Sequence, residues 1–248
     1  MPVEAESTFQ TFGPPHWVAM ALTVAVSVAL PVWARKARSE TLTRGIALGI
    51  AVVLVVNELV YYAYGLAVSS IGDFLRFYLP IHVCGAAVFL TAWVLWRRSQ
   101  FAYDVAYFWG LAGTFQAVLT PDLTKGFPAY RFFEFFINHG AIVVGVLYAT
   151  WALRMRPSRG AWWRTFAITN LYMVFVAGAD WLLGANYMFL RERPVGESPF
   201  FFLPWPWYIL FMEPVGLGLI VLLVLPFTLT DALRGRSGKG LLPQPAES

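Results

Sequence analysis

Charge is scarce in this sequence. Asp, Glu, Lys and Arg make up 13% of its 248 residues, where an average soluble domain has about a quarter. That deficit excludes a soluble globular domain, which needs those groups to cover its surface. Hydrophobic residues reach 58%, which excludes an intrinsically disordered chain. The net charge is +4, but no basic helix or lysine-rich run accompanies it, so no nucleic-acid partner is expected.

Other absences narrow the chemistry. A single cysteine, Cys84, excludes an intrachain disulfide and any C-x-x-C metal or redox motif. The lysines are Lys36, Lys125 and Lys239, all outside the apolar runs, so a retinal protein with a lysine in its last span is excluded. His16, His82 and His139 form no H-x-x-x-H or H-E-x-x-H pair. Local spacing therefore gives a zinc hydrolase no support. Haem held by His82 and His139 has only their similar depth in its favour. No metal and no cofactor are expected.

What the chain has is length without charge. Crossing a hydrocarbon core takes about 20 apolar residues. Seven runs qualify: 16–34, 44–66, 78–96, 103–120, 132–153, 161–184 and 207–230. The second and seventh are the clearest; the fourth is the weakest, because it carries Asp104 and Gln116. The expected fold class is all-α: a polytopic bundle of seven transmembrane helices. Residues 1–234 form one membrane domain and 235–248 a flexible cytoplasmic tail.

Loop charge sets the orientation. One side holds Arg35, Lys36, Arg38 and Arg44, then Arg97 and Arg98, then Arg154, Arg156, Arg159 and Arg164, then Arg234, Arg236 and Lys239. The other side has only Arg76, Lys125, Arg131, Arg191 and Arg193. The N-terminus is expected outside and the C-terminus in the cytoplasm. Before the first span lie Glu4 and Glu6 and no basic residue, so that span reads as retained, not as a cleaved signal. Trp17, Trp33, Trp93, Trp96, Trp205 and Trp207 lie near span ends, as interfacial anchors do. The Pro- and aromatic-rich SPFFFLPWPWY stretch is expected at the outer membrane surface.

Ionisable groups inside a bilayer are costly and mark function by default. Glu58, His82, Cys84, Glu134, Asn138, His139, Asp180 and Glu213 all fall in the outer half of their spans. At 1.5 Å per residue, Glu58 lies about 12 Å deep, Cys84 about 9 Å and His139 about 10 Å. This coincidence suggests one polar pocket open toward the outer face. The plainer alternative is that these groups neutralise one another pairwise. Geometry sorts some partners. Glu134 and Asn138 share a helix face at i, i+4, with His139 displaced by about 100°. His82, Gly85, Ala86 and Phe89 share another face, whose small residues let a neighbouring helix approach. His82 and Cys84, two apart, are not a pair.

Thiol catalysis needs Cys84 and a base, for which His139 is at a suitable depth. Glu58, Glu134 or Asp180 would orient that histidine; Asn138, Asn186 or Tyr187 would serve an oxyanion. By residue type alone, a buried cysteine acting as a small hydrophobe is the stronger reading. Carboxylates with histidines also suit a proton-coupled transporter, although no inverted repeat or matched pair of broken spans is present.

Four runs carry a family likeness: LPIHVC at 79–84, FFINHG at 135–140, DWLLGANYMFL at 180–190 and LPWPWY at 203–208. They resemble the YwaF family of bacterial multi-pass integral membrane proteins, from about the second span to the seventh. That family is similar to a eukaryotic transmembrane family proposed to be a cysteine-dependent phospholipid acyltransferase. The resemblance implies Cys84 and His139 as catalytic candidates, with His82, Asn186 and Tyr187 as pocket residues. It also implies a bacterial cytoplasmic membrane as the location. The expected function is lipid acyl transfer through a Cys84 thioester, with membrane lipids as partners. Glu58, Glu134, Asn138, Asp180 and Glu213 complete the substrate pocket. The alternative is a receptor or transporter that binds a lipid or small molecule in the same pocket without chemistry.

Overall fold

A computed structural model describes residues 8–194 and 202–233. Glu4, Glu6, residues 195–201, the basic residues Arg234, Arg236 and Lys239, and the 235–248 tail lie outside the described residues. Every regular element described is helical. Helix α1 (Pro14–Ala37) turns at Arg38 into α2 (Glu40–Val68), whose N-cap Ser39 accepts the Leu42 N–H at 3.2 Å. A short α3 (Ile71–Phe77) precedes α4 (Val83–Arg97). Helix α5 (Gln100–Phe108) runs through a π-helical segment (Trp109–Thr114) into α6 (Phe115–Leu119). Then come α7 (Tyr130–Trp151), α8 (Ala161–Leu183), a 3-10 turn (Tyr187–Phe189) and α9 (Trp207–Leu233).

Five of these helices, α1, α2, α7, α8 and α9, are long and apolar enough to cross a membrane. They coincide with five of the seven expected runs. The other two differ in form. The third was expected to be helical over 78–96, but α4 starts at Val83 and has 15 residues. Pro80 explains the late start: it lacks an N–H and disfavours helical geometry at Leu79. The fourth run is helical over its length but widened in the middle by the π segment.

The late start of α4 also removes an expected helix face. His82 is the N-cap, not a helical residue, and Phe89 is exposed. Gly85 makes room for the chain's own linker: an added Cβ would sit 2.9 Å from the Pro80 Cα. The small residue thus admits the 78–82 segment, not a neighbouring helix.

Helices α2, α4 and α7 form the centre of the bundle. Leu54, Val88, Leu95, Ile142 and Val146 are fully buried there. Close approach depends on Gly145, where a Cβ would meet Thr91 Cγ2 at 2.6 Å and Leu95 Cδ1 at 3.2 Å. The outer surface is the reverse of a soluble protein's. Trp181 is 80% exposed, Leu182 74% and Leu171 73%, as lipid-facing side chains are. A water-facing monomer rarely shows so continuous an apolar surface.

Asp104, the acidic group that weakens the fourth run, is buried in a satisfied network. It accepts from Gln100 at 2.8 Å, the Ser158 N–H at 3.0 Å and Arg164 at 3.2 Å, and from the Ser158 hydroxyl. These bonds clip the α7–α8 connection onto α5. The fourth run tolerates a carboxylate because its partners lie at the bundle end.

Candidate functional site

The three histidines separate cleanly by hydrogen bonding. His16 is fully buried; its Nδ1 accepts the Phe12 N–H at 2.9 Å and its Nε2 donates to the Val118 carbonyl at 2.8 Å. Both ring nitrogens are occupied, so His16 is structural and has no position for a metal or substrate.

His139 keeps one nitrogen available. Its Nδ1 meets the Phe135 carbonyl, one turn back on α7, at 2.8 Å. A carbonyl only accepts, so the neutral ring carries its proton on Nδ1 and leaves Nε2 a bare acceptor. Phe135 stacks on the ring, 4.0 Å between centroids. Along α7, His139 shares a face with Ile142 and Val146 by helical spacing. Those two side chains pack against Gly110 of the π segment, where an added Cβ would touch them at 3.3 and 3.0 Å.

His82 has the opposite arrangement. Its Nδ1 accepts the Met188 N–H at 3.1 Å, so the neutral ring carries its proton on Nε2. The Tyr187 ring meets it edge-on, 5.1 Å away. His82 and His139 lie within electrostatic reach of each other. One presents a donor and the other an acceptor.

The loop that supplies the Met188 N–H is built by the DWLLGANYMFL run. Gly184 ends α8 at φ 64°, where only glycine is unstrained. Asp180 is fully buried, and its Oδ1 accepts the Tyr187 N–H at 2.8 Å. Asn186 closes the loop: its Oδ1 accepts from Arg191 and Glu192 N–H at 2.9 and 3.1 Å, and its Nδ2 donates to the Glu192 carbonyl at 2.9 Å. The Tyr187 hydroxyl accepts the Leu79 N–H at 3.0 Å and donates to the Leu75 carbonyl at 2.9 Å. Burial pushes that phenol up to about 12. The LPWPWY run then grips the same loop. Trp205 donates to the Leu190 carbonyl at 2.9 Å, and the Tyr208 hydroxyl donates to the Phe189 carbonyl. The two most distinctive runs of the sequence are therefore one structural unit that holds His82. Asn186 and Tyr187 hold that unit together with their own polar atoms.

Cys84 is half-buried in the first turn of α4. The Thr114 hydroxyl, at the end of the π segment, donates to its Sγ at 3.7 Å and lies 3.2 Å from the Trp109 carbonyl. The first turn of a helix has N–H groups with no intrahelical acceptor. In α4 these belong to Val83, Cys84 and Gly85, since the first helical bond runs from Ala86 to His82 at 3.1 Å. Such amides, at the positive end of the helix, suit an anion. Sequence reasoning missed both Thr114 and these amides. The signal for Thr114 was the glycine pair Gly110 and Gly113 just before it; π segments concentrate at functional sites. Among the described residues, no hydrogen bond joins Cys84 directly to His139.

Glu58, Asn138 and Glu134 come together beside this site. Glu58 is 3% exposed, and its oxygens accept from Tyr62 at 2.5 Å and Asn138 at 2.6 Å. Glu134 pairs with Arg131 at 2.6 Å, and Arg131 lies over the Tyr61 ring. Glu58 is within electrostatic reach of Cys84. Glu213 is not part of this group: Asn170 of α8 donates to it at 3.1 Å, which ties α8 to α9. Among the described residues, no three His, Cys, Asp or Glu side chains gather at metal-ligand spacing.

Fold and site together define a multi-pass helical membrane protein with a polar centre at one end of its bundle. The chain belongs to the TMEM164 family, whose model matches residues 11–224. It is also 30% identical, over 155 residues, to an uncharacterised protein of Treponema pallidum (strain Nichols). That match covers 60% of this chain and 62% of the relative, so the chain spans under two thirds of the relative's length. No solved structure matches it.

Proposed function

We propose that this protein transfers an acyl group between membrane lipids through a thioester on Cys84. One observation carries the reading. Cys84 stands among the free amides of a helix start, while His139, on the helix face whose Ile142 and Val146 pack against the π segment, has Nε2 as a bare acceptor. A nucleophile, a base in the required tautomer and anion-stabilising donors are the parts of acyl transfer.

The steps follow from those parts. His139 Nε2 takes the thiol proton, by way of Thr114 or a water, and Cys84 Sγ attacks the ester carbonyl of a phospholipid. The α4 amides, with the Nε2–H of His82, stabilise the tetrahedral oxyanion. Collapse breaks the C–O bond, and the departing alkoxide takes the proton from His139. An acceptor hydroxyl then attacks the thioester by the same route, and the thiol is restored. Glu58, Glu134 and Asn138 supply the polar wall; Asp180, Asn186, Tyr187 and Glu213 hold the surrounding elements.

The reaction class comes from the eukaryotic transmembrane family to which the bacterial YwaF-like proteins are similar, and we place this member of the TMEM164 family among those bacterial proteins. The proposal extends to seven crossings, with α4 and the α5–α6 segment as the third and fourth. It puts the N-terminus outside and the C-terminus in the cytoplasm of a bacterial cell membrane. Residues 1–234 form one domain and 235–248 its tail. A second reading, ligand binding without chemistry, draws on the missing hydrogen bond between Cys84 and His139.

A lipid ester carrying a clickable acyl chain separates the two. Incubation with the purified protein should leave the acyl group on Cys84 as a hydroxylamine-sensitive thioester. Cys84→Ser should abolish that label, and His139→Ala should slow it about 10²–10⁴-fold. No label on the wild type, or label on both variants equal to that of the wild type, leaves only the binding reading.

A further inference from the structure

Three arginines occupy turns that favour glycine. Arg38 caps α1 at φ 51°, Arg98 caps α4 at φ 55°, and Arg154 follows α7 at φ 60°. A Cβ is strained in this left-handed region, so glycine or asparagine usually closes a helix there. A cation near a helix C-terminus does answer the macrodipole. Arg35, Lys36 and Arg97 already do that from within the last turns of α1 and α4. The strained turns therefore need another reason to hold arginine.

All three lie at one end of the bundle, and clefts open beside them. Arg35, Arg38 and Arg154, with Ser39, Glu40 and Thr43, line an open cleft of about 430 Å³. A neighbouring cleft of about 500 Å³ shares Glu40 and adds Thr41, Arg44 and Arg98. Among the described residues, Glu40 is the only carboxylate in either lining. Among the described residues, none of the five arginines has an ion-pair partner. The first turn of the 29-residue α2 starts in the same place and adds its partial positive charge.

The rim is apolar. Ala34 and Ala152 line the cleft, and the adjacent Trp33 and Trp151 are exposed, 55% and 42%. Tryptophans at this level sit among lipid headgroups. A ligand for this place has a phosphate for the arginines and an apolar body for the rim.

We infer that this cleft binds a phosphate-bearing anion, namely the headgroup of an anionic phospholipid in the adjacent leaflet. The site lies at the opposite end of α4 from Cys84, and its occupancy does not depend on chemistry there. Arg35, Arg38 and Arg154 hold the phosphate, and Glu40 limits how tightly.

The test uses the full chain in nanodiscs of phosphatidylcholine, with or without phosphatidylglycerol. Native mass spectrometry counts the phosphatidylglycerol kept on release from the disc. Wild type should keep it in preference to phosphatidylcholine. Each of Arg35→Gln, Arg38→Gln and Arg154→Gln should weaken retention about fivefold, and Lys125→Gln should leave it unchanged. Equal retention by wild type and the triple variant overturns the site. Should the triple variant not fold, Glu40→Gln decides: stronger retention supports the site and unchanged retention overturns it. Inorganic phosphate and glycerol 3-phosphate form a separate arm. If either displaces phosphatidylglycerol and stabilises the detergent-solubilised protein alone, the occupant is a soluble anion and the lipid assignment falls.

Discussion

Asn138 on α7 donates its side-chain amide to the Glu58 carboxylate on α2 at 2.6 Å. The residues are 80 positions apart, and both are buried at the centre of the bundle. Tyr62 occupies the other carboxylate oxygen. Glu58 can stay in an apolar bundle because both oxygens have donors, as a buried carboxylate requires.

Removing one donor should therefore hurt more than removing the pair. Asn138→Leu leaves Glu58 half-satisfied and should cost about 1–3 kcal/mol. Glu58→Leu combined with Asn138→Leu should recover part of that loss, because no Glu58 carboxylate is then left half-satisfied, although the half-buried Tyr62 hydroxyl loses its acceptor. Thermal unfolding in one detergent reads both. A double variant less stable than Asn138→Leu by the full cost of Glu58→Leu would mean that the two side chains are not coupled.

The histidine tautomers give a direct spectroscopic prediction. With ¹⁵N-histidine in the reconstituted protein, His139 should be protonated on Nδ1 and His82 on Nε2. Loss of each signal in the matching His→Asn variant assigns it. A His139 protonated on Nε2 would remove its fitness as the base and overturn the proposed mechanism.

How much of this was legible in the sequence depends on the kind of information. Apolar length is local, so α1, α2, α7, α8 and α9 lie where hydropathy puts them. The start of α4 falls later than the apolar run suggests because the chain before Pro80 resists the helix, which apolar length alone does not show. The π segment leaves no trace in hydrophobic spacing, since one wider turn barely shifts the pattern. Depth along the spans brought Glu58, Asn138 and Glu134 to one level, and they do meet. Depth gives no azimuth, however, so Glu213 was grouped with them although it faces Asn170. Nor did spacing reveal that Trp205 and Tyr208 hold the 184–190 loop, because that contact joins residues far apart in the pattern, between the end of α8 and the start of α9.

The loop itself can be loosened without touching the site. Asn186→Ala removes three hydrogen bonds at the protein surface and should lower stability by only about 1 kcal/mol. The Met188 N–H should then hold His82 poorly, and thioester formation on Cys84 should fall more than stability does. Asn186→Asp keeps the acceptor for Arg191 and Glu192 and should restore most of it. Labelling kinetics beside thermal unfolding make the check. A fall in both by the same proportion would mean that the loop acts on folding alone.

Gly85 offers a second approach to the same position. A Cβ there meets Pro80 backbone at 2.9 Å, so Gly85→Ala should push the 78–82 linker away and move His82 with it. Gly113→Ala is the matched control, since its Cβ comes no closer than 4.0 Å to Val83. Gly85→Ala should slow labelling of Cys84 at least tenfold more than Gly113→Ala, both remaining folded. Equal rates would show that His82 needs no fixed position.

The seven-crossing topology is tested most directly with Lys36 and Lys125. Lys36 lies in the last turn of α1 and Lys125 in the connection between α6 and α7. An odd number of crossings separates them if α2, α4 and the α5–α6 segment each span the bilayer. In a Cys84→Ser background, Lys125→Cys should react with a membrane-impermeant maleimide on intact cells. Lys36→Cys should react only after the membrane is opened. If neither reacts on intact cells and both react once the membrane is opened, then α4 or the α5–α6 segment does not cross. The charge asymmetry would still orient the ends of the bundle, but the thiol site would have to be reached from a different face.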